Sequence, residues 1–141
     1  MTEVPNTPSA GARPLTILIV DDSAMMRMMI KRVAGLCDIP IQRILEAANG
    51  AEALAVLEAH DVDALFTDIN MPVMTGTELL REIGKRERYR DLTRVIISTD
   101  GSTARREEAR ELNVRLYVEK PFRPEVMRDV LAQVTTRADV R

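Results

Sequence analysis

The run Leu15-Thr16-Ile17-Leu18-Ile19-Val20 has no polar face. Five of its six residues are apolar and most are β-branched, so as a strand it has to be covered on both sides. That is the situation of a strand inside a parallel sheet, and it constrains the whole chain. The run ends in Asp21-Asp22-Ser23, after which Met25, Met26, Met29, Ile30, Val33 and Leu36 recur at helical spacing with Arg27, Lys31 and Arg32 opposite. Pro40 blocks any continuation.

The same alternation repeats to the end of the chain. A weaker strand is expected over 43–47. Asn49 and Glu52 then have the three-residue spacing of a capping pair and open a helix to about His60. A strand over 63–67 follows, and Thr75 with Glu78 repeats the capping spacing before a helix to about Arg88. The next strand is expected over 94–99. Ser102 caps a helix over 103–112, which Asn113 ends in a left-handed conformation. A fifth strand over 114–118 precedes Pro124, which suits a first helical position. The last helix carries Val126, Met127, Val130, Leu131 and Val134 inward. Five short strands alternating with five helices predict an α/β fold, a doubly wound five-stranded parallel sheet flanked by helices. Residues 1–14, rich in Pro, Thr, Ser and Gly, are expected to be a disordered tail. The domain is placed at 15–135 and a short C-terminal tail at 136–141.

Composition excludes some partners. A net charge of −2 gives no basic footprint for nucleic acid. A single cysteine, Cys37, rules out an internal disulfide and suits a reducing compartment. No apolar run approaches the roughly 18 residues of a membrane span, and no signal-peptide core opens the chain. A cytoplasmic location without membrane contact is expected.

Parallel strands gather their C-terminal ends on one edge of the sheet, above which ligands bind in open α/β folds. Asp21 and Asp22 follow the first strand, Asp68 the third, Thr99 the fourth and Lys120 the fifth. Three carboxylates in one crevice repel one another unless a cation sits among them. With no histidine or cysteine nearby, such a set selects a hard ion, Mg²⁺. Lys120 and Thr99 opposite leave room for an anion, an arrangement that stabilises a phosphoryl group in transfer, with Asp68 as nucleophile. Asp61 and Asp63 precede their strand and belong to the opposite edge. His60, the only histidine, sits near a helix end with no catalytic part expected of it.

At these residues the chain resembles the receiver domains of response regulators, the CheY-like family of two-component signalling. The resemblance covers about residues 15–135. It rests on Val20-Asp21-Asp22-Ser23, on Asp68-Ile69-Asn70-Met71-Pro72 with Gly76, on Thr99, and on Lys120-Pro121-Phe122. It implies that Asp68 accepts a phosphoryl group from a histidine kinase. It further implies that Asp21, Asp22, Asp68 and the backbone carbonyl of Asn70 hold Mg²⁺, and that Lys120 and Thr99 contact the phosphoryl oxygens. The Lys120–Pro121 bond is expected to be cis, and Thr99 and Tyr117 to act as switch residues. The segment 21–27 and Tyr117 are similar to single-domain chemotaxis receivers. Asp100 departs from the family pattern, which usually has a small residue after Thr99.

The expected product is a phosphorylation-controlled module rather than an enzyme. It docks on a protein target through the 103–112 helix, the 114–118 strand and the last helix, as a monomer that can dimerise on phosphorylation. Two alternative functions fit the chain less well. A phosphohydrolase of the haloacid dehalogenase type would carry an Asp-x-Asp pair after its first strand, where this chain has adjacent Asp21-Asp22. A degenerate receiver binding partners without phosphorylation would not need the full set of five strand-end residues.

Overall fold

The structure, a computed structural model, describes residues 14–140, with side chains through Val134. The tail expected over residues 1–14 lies, apart from Pro14, outside the described residues. Five strands and five helices alternate: β1 (Leu15–Val20), α1 (Ala24–Leu36), β2 (Ile41–Ala47), α2 (Gly50–Ala59), β3 (Ala64–Thr67), α3 (Gly76–Gly84), β4 (Thr93–Ser98), α4 (Thr103–Glu111), β5 (Leu116–Glu119) and α5 (Pro124–Val140), with a 3₁₀ turn at Glu87–Tyr89. All strand pairs are parallel, in the order β2-β1-β3-β4-β5.

Helices cover both faces, so the apolar residues divide into two layers. Ile17, Ile19, Phe66, Val95 and Ile97 pack against Ile30, Val33, Met127 and Leu131 of α1 and α5. Leu18, Val20, Leu65 and Ile96 pack against Leu57, Leu79, Leu80, Ile83 and Ala109 of α2, α3 and α4. Burial on both faces is why β1 reads as a continuous apolar run. Among the described residues, no helix is long and apolar enough to cross a membrane.

The helix starts follow the capping chemistry. The Asn49 side chain accepts from the Glu52 N–H at 2.9 Å. Thr75 and Glu78 form a reciprocal capping box, and Ser102 accepts from the Arg105 N–H at 3.3 Å. Asn113 has φ 64°; its N–H donates to Arg110 O, and the Val114 N–H to Ala109 O. This paired closure explains why β5 begins at Leu116 rather than at 114.

Several boundaries differ from the sequence reading. α3 stops at Gly84, and the next residues turn separately so that Tyr89 enters the core with 6% exposure. β4 runs one residue earlier than 94–99, and β2 starts at Ile41 across a register shift opposite Leu15 and Thr16. α5 continues past the boundary drawn at 135 as far as Val140, since no Pro or Gly interrupts 136–140. Met25, Met29 and Leu36 of α1 are exposed, as is Val126 of α5, and the inward stripe of α1 is Met26, Ile30, Val33 and Ala34. In α4 only Ala109 is buried, so this helix is anchored thinly.

Because only Asn or Gly holds a left-handed position at low cost, Asn113→Ala should lower stability by about 1 kcal/mol. Asn113→Gly should leave it unchanged within a few tenths. Urea denaturation midpoints check both.

Candidate functional site

The strand order reverses between β1 and β3, and both carry an aspartate one step past their ends. Asp21 is 2% exposed. Its Oδ1 accepts from the Ser23 N–H at 2.9 Å, which bends the chain into α1; Ser23 in turn caps that helix through the Met26 N–H. Asp68 is half-buried, and its Oδ1 accepts from the Ile69 N–H at 2.6 Å. Oxygens of Asp21, Asp22 and Asp68 lie within 4.8 Å of one another.

Lys120 reaches this cluster from the end of β5. Its Nζ lies 2.8 Å from Asp21 Oδ2 and 3.0 Å from Asp68 Oδ2, with only a tenth of the side chain exposed. Burial alone would push the ammonium's pKa down. The hydrogen bonds to Asp21 and Asp68, together with the charges of those two carboxylates, outweigh that and hold it above the usual lysine value. The Lys120–Pro121 peptide is cis. Three carboxylate oxygens at this spacing, without nitrogen or sulfur donors, fit a hard divalent ion such as Mg²⁺.

Thr99 does not join this group as the sequence reading had it. β4 ends at Ser98, and Thr99 lies beyond it with its side chain exposed. The buried hydroxyl at the strand tip is that of Ser98. Its carbonyl accepts the Lys120 N–H at 2.8 Å, and its Oγ accepts the Asp100 N–H at 3.1 Å. A boundary error of one residue hid it. Asp100 is tied to the start of α4, accepting from the Ser102 N–H at 3.0 Å and lying 3.5 Å from Arg105. The Ser102 bonds hold its carboxyl below the usual aspartate range. Tyr117 is half-buried; its hydroxyl donates to the Asp100 carbonyl, and the Arg106 guanidinium lies 4.6 Å from the ring centroid. Burial, then the Asp100 charge, raise its pKa.

Two supporting elements lacked a sequence signal. Arg27, read as part of a solvated helix face, donates to Asp21 O at 2.6 Å and to Glu46 Oε1 at 2.9 Å. It thereby ties the β1–α1 turn to β2. Lys31 bonds the same carboxylate, and the Lys31 and Arg27 bonds draw Glu46 below the usual range. After β3 the chain passes exposed Asn70 and makes a tight γ-turn, Met74 N–H to Pro72 O at 2.7 Å, with Val73 at φ 68°. A β-branched residue is strained there. Flanking bonds from Gly76 N–H to Ile69 O and from Gly50 N–H to Met74 O hold the turn closed. Asp63 lies at the opposite edge and accepts the Thr16 N–H at 2.8 Å. His60 lies 3.4 Å from Arg43.

A family model described as the response regulator receiver domain matches residues 17–132. The chain belongs to that family. It is 36% identical over 121 residues to a Chemotaxis protein CheY homolog of Campylobacter jejuni, covering 85% of this chain and 92% of the relative. It is 35% identical over 125 residues to Chemotaxis protein CheY of Pseudomonas aeruginosa, covering 89% and 99%. Chemotaxis response regulator CheY4 of Vibrio cholerae shares its fold with a TM-score of 0.78 and 30% identity, covering 86% of this chain and 99% of that one. Receivers in general switch on phosphorylation, bind Mg²⁺ in an acidic pocket, and work between a histidine kinase and downstream targets.

A Cβ on Gly76 would lie 1.9 Å from the Asp68 carbonyl oxygen and 3.0 Å from Ile69 Cα, both backbone atoms. Gly76→Ala should therefore cost at least about 2 kcal/mol, read from denaturation midpoints. It should also displace the Asp68 backbone amide resonance.

Proposed function

We propose that this receiver accepts a phosphoryl group on Asp68 from a phosphohistidine of a kinase and relays the change to the α4–β5–α5 surface. The observation that carries this reading is Lys120 Nζ bridging Asp21 and Asp68. The ammonium already stands where a dianion formed on Asp68 would need a counter-charge. An Asp68 oxygen forms the new bond to phosphorus while the bond from phosphorus to the kinase imidazole breaks, and the departing nitrogen takes a proton. Asp21, Asp22, Asp68 and the Asn70 carbonyl would hold Mg²⁺, which when bound offsets negative charge on the phosphoryl oxygens. Beyond its own phosphorylation and dephosphorylation no enzymatic turnover is proposed. The resemblance to curated chemotaxis proteins supports a cytosolic role in motility control.

For the switch, Ser98 takes the part the sequence reading assigned to Thr99. Its buried hydroxyl accepts the Asp100 N–H, and its carbonyl accepts the Lys120 N–H. Drawing that hydroxyl toward a phosphoryl group weakens its hold on the Asp100 turn, to whose carbonyl Tyr117 donates, and the thin anchor of α4 leaves that helix free to respond.

Asp68→Asn should abolish labelling by acetyl phosphate while leaving the circular dichroism spectrum unchanged; stoichiometric labelling of this variant would refute the assignment. Lys120→Ala should still label but lose the response.

Ser98→Ala should label yet show little change in amide exchange over residues 100–120 when beryllofluoride and Mg²⁺ are added. Thr99→Ala should behave like the parent. The opposite pattern would return the switch role to Thr99.

A further inference from the structure

At the edge of the sheet opposite Asp68, a cleft of about 460 Å³ lies between the segment entering β4 and the α4–β5 turn. Its lining includes Arg90, Arg94, Arg110 and Arg115, with Asp91 the one carboxylate. In a chain of net charge −2 this is a marked segregation of positive charge. Arg90 pairs with Glu87 at 2.6 Å. Arg110 and Arg115 make no ion pair among the described residues.

Arg94 is the unusual member. It is 4% exposed, yet no carboxylate among the described residues pairs with it. Its Nη2 donates to the Tyr89 carbonyl at 2.9 Å, and its Nε has no hydrogen-bond partner. Buried guanidinium groups ordinarily occur paired, because an uncompensated charge away from water is costly. Burial accordingly draws Arg94 below the usual arginine range. Nothing in the receiver chemistry at the other edge uses this residue.

We propose that this cleft is a binding site for a small anion carrying adjacent phosphoryl groups, of the pyrophosphate type. Planar guanidinium forks match phosphoryl oxygens bidentately. Forks from three separate stretches (Arg90 before β4, Arg110 on α4, Arg115 before β5) suit an anion with oxygens on more than one centre, and the buried Arg94 adds positive charge behind them. A single carboxylate or phosphate would engage fewer of them. The lining has no aromatic side chain on which a nucleobase could stack, so recognition rests on the phosphoryl groups alone. The same chemistry is offered by free pyrophosphate and by the phosphates of a nucleoside diphosphate.

Calorimetric titration of the full chain with pyrophosphate in Mg²⁺-free buffer tests this. One site is expected, with amide shifts at Thr93 and Asn113–Arg115 and an affinity that falls as salt rises. Arg110 and Arg115 are exposed, so the double variant Arg110→Gln/Arg115→Gln should fold normally. It should weaken pyrophosphate at least tenfold and label at Asp68 with acetyl phosphate as the parent does. Arg32→Gln/Arg128→Gln, removing equal charge elsewhere, should change the affinity less than twofold. Inorganic phosphate should bind at least tenfold more weakly than pyrophosphate, and ADP within about threefold of it. Shifts centred on Asp68 and Lys120, undiminished binding in the Arg110/Arg115 variant, or an equal loss in the control would overturn the site. ADP or a short single-stranded oligonucleotide binding tenfold tighter than pyrophosphate would overturn the ligand class.

Discussion

The bridge from Lys120 to Asp21 and Asp68 is the contact on which the rest of the site depends. Asp21 and Asp68 approach within reach of one ammonium in a crevice where each side chain is nearly closed to solvent. Without a cation their mutual repulsion would open the edge of the sheet. The lysine therefore does structural work in the unphosphorylated protein and stands as counter-charge to any anion added to Asp68. The ammonium has three N–H donors and bonds two carboxylates, so one donor remains for a further oxygen.

Holding three acids together needs rigid turns on either side. Before α1 the Ser23 N–H and Arg27 fix Asp21 from opposite directions, one on its carboxylate and one on its carbonyl. After β3 the chain is folded back so tightly that only glycine fits at position 76, and Val73 is forced to positive φ. Strain of this sort costs on the order of 1–3 kcal/mol and persists only where surrounding bonds over-determine the conformation. Here the bonds to Ile69 and Met74 carbonyls do so. The functional edge of the sheet is thus stiff on the β1 and β3 side.

On the β4 and β5 side it is not. α4 buries a single alanine, and its contacts there are polar: Arg106 to Gly101 O and Glu119, Arg105 to Asp100, Tyr117 to Asp100 O. Exposed ion pairs of this kind contribute little to stability, so the arrangement can be exchanged for another at small free-energy cost. Rigidity at the acids and looseness beside Ser98 and Tyr117 are complementary: on the proposed function, a local charge change would be registered without movement on one side and converted to movement on the other.

The doubly wound sheet, the helix caps at Asn49, Thr75 and Ser102, the left-handed Asn113 and the grouping of Asp21, Asp22, Asp68 and Lys120 were all legible in the chain. They depend on short-range rules: apolar period, side-chain-to-backbone hydrogen bonds three residues apart, and the polarity of parallel strands. What the sequence alone could not settle depended on register and on distant partners. Whether β4 closes at residue 98 or 99 is decided by its pairing with β5, and that single step separates a buried Ser98 from an exposed Thr99. Which methionines of α1 face inward is decided by how the helix lies against α5 and the sheet, not by their spacing. Arg27 reads as an ordinary surface arginine because nothing local marks a guanidinium that will be drawn under a turn, and nothing in the strand read over 94–99 marks Arg94 as a buried guanidinium bonded to the Tyr89 carbonyl. Local bonds determine elements, and only packing decides which side of each element meets water.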